Sequence, residues 1–367
     1  MSQQIKIAIA HDYLNQMGGA ERVVEVFHRM FPDAPIHTTI LDNDKLLPEL
    51  RDADIKTTWM QNIPGILKKF KMFFWLFPFG VSSIHLEEYD LIISSSSAYA
   101  KGVKKGKNTI HICYCHTPMR FAWDFETYMR DINVPAFVKF IAKGLLVPLR
   151  KWDKSTAKDV NYFIANSSIV KERIKEIYGR DSQKIYPPVN ISRFNVAQSP
   201  KNDYFLVVSR LVSYKRIDLA VEACTKANKK LIVIGDGPDR KRLESMAGPT
   251  VQFLGRISDE EVVNYMRNCK AFVFPGIEDF GITPLEVNAC GRPVIAFKAG
   301  GALDTIQPGV NGTYFEEQTP ESLVKIIEDF DNYEWDSSLI RKHSEGFSEE
   351  RFIKELNDFI AKSLRKM

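Results

Sequence analysis

Short continuous apolar runs alternate with segments of helical periodicity from one end of the chain to the other. "IKIAIA" (5–10) passes through a glycine loop into "AERVVEVFHRMF" (20–31), whose apolar positions recur at helical spacing. "DLIIS" (90–94), "HICYCH" (111–116) and "NYFIANS" (161–167) predict further strands, the last feeding a helix at "SIVKERIKEIYG" (168–179). Strands that are apolar throughout and separated by helices imply a mainly parallel sheet covered on both faces.

The alternation stops at "YPPVNISRFNVAQSPKND" (186–203), where prolines and turn formers replace periodicity and predict a linker. It then restarts. "YFLVVSRL", "KLIVIGDG", "VQFLG", "AFVFPG" and "PVIAF" predict strands, with helices near 217–227, 238–246, 258–268, 284–290 and 301–306. Capping boxes or N1 prolines mark helix starts at Ser258–Glu261, Thr319-Pro320 and Thr283-Pro284-Leu285-Glu286. The expected fold class is α/β: two Rossmann-like domains, 1–190 and 200–345, sharing a crevice at the carboxyl ends of their strands. A last amphipathic helix, 348–365, repeats Phe352, Leu356, Phe359, Ile360 and Leu364 at helical spacing and must pack on one of them.

Composition adds little to this picture. The chain has 367 residues, 44% hydrophobic and 26% charged, with a formal charge of +4, too small to argue for nucleic acid. The N-terminal stretch turns polar after one short apolar run, and no run approaches the roughly 20 apolar residues of a membrane span. Neither a secretory leader nor a membrane helix is therefore expected. Five cysteines, mostly inside apolar runs, read as buried thiols in a reducing, cytoplasmic compartment. A strand puts Cys113 and Cys115 on one face and His116 on the other, so these three do not form a metal site.

Three strand-to-helix loops of the second half carry candidate chemistry. "SRLVSYKRID" (209–218) offers Arg210 and Lys215, cations suited to a diphosphate, although a solvated surface pair would look the same in isolation. "GDGPDRKRLE" (235–244) begins with Gly235 like a dinucleotide fingerprint, but Arg240 stands where its last glycine belongs. That weakens a nicotinamide-linked oxidoreductase. "FPGIEDFGITPLE" (274–286) supplies Glu278, Glu286 and the backbone of Phe280, Gly281, Ile282 and Thr283 at a helix start. Cations and amides hold phosphates, and carboxylates accept from hydroxyls. A ligand with hydroxyls at both ends of a diphosphate is a nucleotide sugar.

Arg210 and Lys215, the E-x-F-G-x-x-x-x-E run from Glu278 to Glu286, and Gly18-Gly19-Ala20-Glu21 together resemble the retaining transferases of glycosyltransferase family 4, over essentially the whole chain. The resemblance implies the GT-B fold, with the final helix crossing back to the N-terminal domain. It implies that the N-terminal domain binds acceptor and the C-terminal domain donor. Glu286 would hold the ribose, Glu278 the donor sugar, and Arg210 with Lys215 the diphosphate, near Gly18, Gly19 and Gly235. His116 matches the family's sugar-contacting histidine.

"HTPMRFAWD" (116–124), which includes Arg120, Trp123 and Asp124, resembles a branch containing O-antigen mannosyltransferases. That branch favours GDP-mannose as donor, with a UDP-sugar as the alternative, and a glycan or lipid-linked acceptor in polysaccharide biosynthesis. A GT-B epimerase or phosphorylase, or a catalytically inactive sugar-nucleotide binder, shares the same frame. Retention by a front-face path is implied, and neither cofactor nor metal is expected. "ILKKFKMFFWLFPFGV" (66–81) and the lysine groups Lys101–Lys107 and Lys139–Lys151 suit either an anionic membrane surface, such as the inner face of the plasma membrane, or ordinary amphipathic helices.

Overall fold

The computed structural model describes residues 5–125, 136–196 and 202–365, so part of the expected linker (197–201) lies outside the described residues. The chain forms two compact units, Met1–Pro188 with Phe352–Met367, and Val189–Arg351.

The first unit is built on a parallel sheet of β1 (Ile7–His11), β2 (Ile36–Thr38), β3 (Ile55–Lys56), β4 (Leu91–Ser96), β5 (Ile110–Cys115), β6 (Tyr162–Ala165) and β7 (Ser182–Lys184). Their spatial order is β3-β2-β1-β4-β5-β6-β7, so the direction of growth reverses between β1 and β4. Helix α1 (Gly19–Met30) follows β1, α2 (Ala136–Asp159) precedes β6, and α3 (Ser168–Tyr178) follows it. Strict alternation sorts the strand residues. Ile9, Ile93, Ile112 and Tyr114 pack with Val23 and Phe27 of α1 on one face, while Cys113 and Cys115 join Phe163 and Ile174 on the other. All five cysteines are buried free thiols.

The second sheet contains β8 (Phe205–Val208), β9 (Leu231–Ile234), β10 (Val251–Gly255), β11 (Ala271–Phe274), β12 (Val294–Phe297) and β13 (Gly312–Phe315), ordered β10-β9-β8-β11-β12-β13. It is again wholly parallel, and it reverses between β8 and β11. Its helices are α4 (Ile217–Lys226), α5 (Arg240–Met246), α6 (Asp259–Asn268), α7 (Ile282–Ala289), α8 (Pro320–Glu328) and α9 (Ser337–Glu345). Ser258 and Glu261 form the expected capping box of α6, and Thr319 with Pro320 opens α8. The final helix, α10 (Glu349–Leu364), returns to the first unit. Its Phe352, Leu356 and Ile360 complete that core, with the Phe352 ring stacked 6.2 Å from Phe27.

Two expectations need correction. The 66–81 stretch is no single amphipathic helix but three short helical turns, Ile66–Lys69, Phe70–Phe73 and Phe77–Ser82; Gly65, at φ 75°, caps the first, and Pro78 stands at the start of the third. Lys101 is not a surface charge either. It is buried against Asp153 of α2, whose other oxygen accepts from Trp123 Nε1 at 2.7 Å and the Tyr178 hydroxyl at 2.9 Å. Lys105 is tied to the Thr109 carbonyl and Asn161.

Candidate functional site

In parallel open sheets a ligand crevice forms where strand order reverses, because the loops on either side diverge there. In the second unit this point falls between β8 and β11, whose residues Phe205 and Ala271 are paired. The loop after β8 makes a tight turn at Ser213–Lys215, and the loop after β11 runs from Pro275 to the start of α7. They enclose a cavity of about 160 Å³ lined by Arg210, Lys215, Glu278, Gly281 and Thr283 above a floor of Phe272 and Phe274.

Lys215 and Glu278 form an ion pair within it, both mostly buried. Tyr214, which the sequence did not single out, backs the two cations. Its hydroxyl accepts from Arg210 Nη2 at 3.2 Å, and its ring lies 5.5 Å from Lys215 Nζ. The only earlier signal for it was its place between Arg210 and Lys215.

The helix start differs from the expected capping box. Gly281 is the N-cap of α7, at φ 87°, a conformation costly for any other residue. A side chain there would also strike the Phe274 ring, 2.7 Å from the first added carbon. Thr283 is therefore the second helical residue and caps nothing, Pro284 is the third, and Glu286 falls in the second turn, half-buried. Pro284 costs no hydrogen bond, since the first four amides of a helix have no internal partner. Phe280 is buried with its ring 6.1 Å from Phe347, so its side chain serves packing. Gly300 and Gly301, also overlooked, brace this loop: Gly301 donates to the Glu278 carbonyl at 2.8 Å. Gly235, at φ 126° after β9, sits where an added carbon would lie 1.9 Å from the Ser209 carbonyl. It lets the β9 loop close onto the β8 loop.

The first unit gathers a second cluster at its own reversal. Asp12, just past β1, accepts from the amides of Ser97 (2.6 Å), Tyr99 (2.7 Å) and Ala100 (2.6 Å), anchoring the loop after β4. Gly18 is the N-cap of α1, and its amide is occupied by Glu21 Oε2 at 2.9 Å; Gly19 is the first helical residue. His11 is buried between Glu21 and Ser95. His116, immediately after β5, sits with Nε2 2.8 Å from Ser95 Oγ. Desolvation and the neighbouring His11 hold its pKa below the ordinary histidine range. Trp123 of the following loop is committed to Asp153, while Arg120 and Asp124 flank it. Among the described residues no three His, Cys, Asp or Glu side chains gather as a metal site.

The model for "Glycosyl transferases group 1" matches residues 189–342, the second unit, and that for "Glycosyltransferase Family 4" matches residues 17–193, the first. The chain is a family 4-type glycosyltransferase. The human α-1,3/1,6-mannosyltransferase ALG2 is 24% identical to this transferase over 76% of the chain and 74% of its own length. A GDP-mannose-dependent α-mannosyltransferase of Corynebacterium glutamicum is 31% identical over 41% of the chain and 38% of its own. Among solved structures, Anabaena Alr3699/HepE in complex with UDP superposes with a TM-score of 0.73 at 18% identity, covering 98% of this chain and all of that one. The transferase thus has the GT-B fold. The fingerprint-breaking Arg240 of this glycosyltransferase bonds Glu244 of its own helix at 2.7 Å, a surface role.

Proposed function

We propose that this glycosyltransferase moves mannose from GDP-mannose to a glycan or lipid-linked saccharide in polysaccharide biosynthesis, with retention of configuration and without a metal or other cofactor. The cavity at the β8/β11 reversal carries the proposal, since it sets two cations, a helix start and a carboxylate within one small volume. The second unit takes the donor and the first the acceptor. Arg210 and Lys215 bind the diphosphate, supported by the amides at the start of α7 and by the Gly235 loop. Glu286 accepts from the ribose hydroxyls. Gly18 and Gly19 border the diphosphate, and His116 meets the transferred sugar.

In the reacting complex the bond from the anomeric carbon to the departing phosphate oxygen breaks, and its electron pair stays on that oxygen. The acceptor hydroxyl bonds to the same face of the carbon and gives its proton to the departing phosphate. The protein's contribution is then charge stabilisation. As the diphosphate draws Lys215, Glu278 is released to hold and polarise the sugar; it is not assigned as a covalent nucleophile.

Mannose as the transferred sugar is favoured by the human mannosyltransferase, and GDP-mannose as its donor by the GDP-mannose-dependent Corynebacterium relative. A UDP-sugar is the second reading, favoured by the UDP complex of the Anabaena protein. A thermal-shift panel of GDP-mannose, UDP-glucose, UDP-GlcNAc, UDP-glucuronate and NADH separates these. Stabilisation by GDP-mannose is expected. A shift with NADH alone would sink the transferase reading, and a shift without turnover on any acceptor would leave a sugar-nucleotide binder. Glu286→Ala should weaken donor affinity about tenfold or more, the worth of a hydrogen bond to a charged group. Unchanged affinity would return Glu286 to a purely structural role.

The same proposal places the enzyme peripherally on the anionic cytoplasmic membrane face. No helix among the described residues is long and apolar enough to cross a membrane. Yet Met72 (69%), Trp75 (44%) and Phe79 (65%) are exposed beside Lys68, Lys69 and Lys71, and α2 exposes Phe137 and Phe140. Lys139, grouped with these by sequence, lies outside the described side chains. Apolar side chains interleaved with lysines bind headgroup regions, each cation adding about 1 kcal/mol at an anionic surface. The enzyme should sediment with phosphatidylglycerol vesicles at low salt and much less with neutral ones. Failure to bind at low salt removes the membrane from the proposal.

A further inference from the structure

His11, Ser95 and His116 stand at the carboxyl ends of β1, β4 and β5, three neighbouring strands, and Glu21 reaches them from the first turn of α1. The contacts among these four groups have a direction. The Ser95 carbonyl oxygen lies 3.1 Å from His11 Nδ1, and a carbonyl only accepts, so that nitrogen carries a hydrogen. His11 Nε2 is buried with the Glu21 carboxylate 3.6 Å away. Glu21 is itself held as an acceptor by the Gly18 amide at 2.9 Å and by Gln16 Nε2 at 3.0 Å. A second hydrogen on His11 Nε2 makes the ring an imidazolium that faces the carboxylate as an ion pair, at a distance too long for a hydrogen bond. Burial opposes that charge, but Glu21, with Asp12 beside it, outweighs the penalty and raises the His11 pKa. The same pairing lowers the pKa of Glu21 against its own desolvation.

Ser95 Oγ also lies 3.1 Å from His11 Nδ1, so the one Nδ1 hydrogen is shared between the Ser95 carbonyl and hydroxyl oxygens. The hydroxyl's own hydrogen is then directed to His116 Nε2 at 2.8 Å. Were His116 to donate from Nε2 instead, one hydroxyl oxygen would receive from two imidazoles and its proton would find no acceptor among these groups. The ring of His116 is also fixed in place, edge-on to Tyr114 with centroids 5.2 Å apart, and its amide donates to the Ser96 carbonyl at 2.9 Å. The nearby Arg173 of α3 is turned to the Thr117 hydroxyl at 3.4 Å.

We infer that Glu21, His11 and Ser95 are positioning residues forming a directed relay that locks His116 as the neutral Nδ1–H tautomer, so that it offers the substrate one hydrogen-bond donor and no base. The inference rests on the proposal that His116 meets the transferred sugar, and it deepens that role. A neutral donor orients a sugar hydroxyl without taking the acceptor's proton, which leaves the departing phosphate as the base. It also explains the GGAE sequence beyond helix capping: Glu21 caps α1 with one oxygen and charges His11 with the other.

Histidine-selective 15N labelling of the full chain tests the relay directly. Long-range proton–nitrogen correlation spectra, assigned with His116→Ala and His11→Gln, should show Nδ1–H and a bare Nε2 for His116, and two protonated nitrogens for His11, at pH 7. An Nε2–H or mixed tautomer at His116, or a neutral His11, overturns the inference. Ser95→Ala should give a mixed His116 tautomer and lower kcat about tenfold with little change in KM, the scale of one lost hydrogen bond. Ser95→Thr should restore both. A Ser95→Ala enzyme that loses activity while its His116 tautomer is unmoved also overturns the relay. If the spectra are as expected but His116→Ala keeps full turnover, the sugar-contact reading fails and the tautomer assignment stands.

Discussion

Lys215→Ala should lower kcat/KM for sugar transfer by about a thousandfold while moving the melting temperature only slightly. The cation lines the β8/β11 cavity, paired with Glu278 and set against the Tyr214 ring. Removing one preorganised group aimed at developing charge costs roughly 10²–10³ in rate. Here the loss is larger than for an isolated cation, because Glu278 remains as an uncompensated carboxylate at the proposed diphosphate site. The double variant Lys215→Ala/Glu278→Ala should therefore bind the donor more tightly than Lys215→Ala alone, although its turnover stays low. That recovery distinguishes a working ion pair from two unrelated surface residues. Glu278→Ala alone should mainly lower kcat. Lys215→Ala activity within tenfold of the native enzyme would take the diphosphate away from this loop.

The central strands of both sheets were legible in the sequence because they rest on long apolar runs, whereas the reversals of strand order were not. Within these runs Ala8–His11, Ile110–Cys115 and Ala271–Phe274 are buried on both faces, and a buried parallel strand has little choice of residue. The edge strands were not legible. Ile36–Thr38, Ile55–Lys56 and Ser182–Lys184 are two or three residues long and partly polar, too short to show any period. Gly312–Phe315 reads as a turn because Asn311 and Gly312 precede its aromatic pair.

The site was legible only as far as residue types reveal roles. Arg210, Lys215 and Glu278 were legible as candidates only because several strand-end loops carry such groups together, since alone the two cations read as a surface pair. Gly281 as the cap of α7 was not, because Thr283-Pro284 imitates a helix start so well. His11 and Ser95 were hidden for a different reason. Each lies inside or at the tip of a strand, where sequence alone cannot separate a buried polar partner from one more core position. Lys101 was misplaced for the same cause: a lysine among three others reads as surface, and only its contact with Asp153 from far along the chain buries it.

Asp153→Ala should destabilise the enzyme by about 3–5 kcal/mol, the cost of stripping one partner from a buried ion pair. At the size of the first unit this lowers the melting temperature by about 10 °C. Lys101 and Asp153 are 2% and 0% exposed at their side chains. Three donors depend on it: the Lys101 ammonium, Trp123 Nε1 and the Tyr178 hydroxyl. The penalty belongs to the stranded charge more than to the pair itself, because two desolvated ions gain little net energy from each other. Lys101→Met/Asp153→Leu, which removes both charges, should accordingly recover the part of the loss owed to the stranded ammonium, leaving the cost of the two unpaired neutral donors at about 1–3 kcal/mol each. Chemical denaturation of the single and double variants measures the difference. A double variant no more stable than Asp153→Ala would show that hydrogen bonding to Trp123 and Tyr178, and not the charge on Lys101, is what Asp153 supplies. Trp123 donates to Asp153, so a shift in its indole environment should accompany the single substitution.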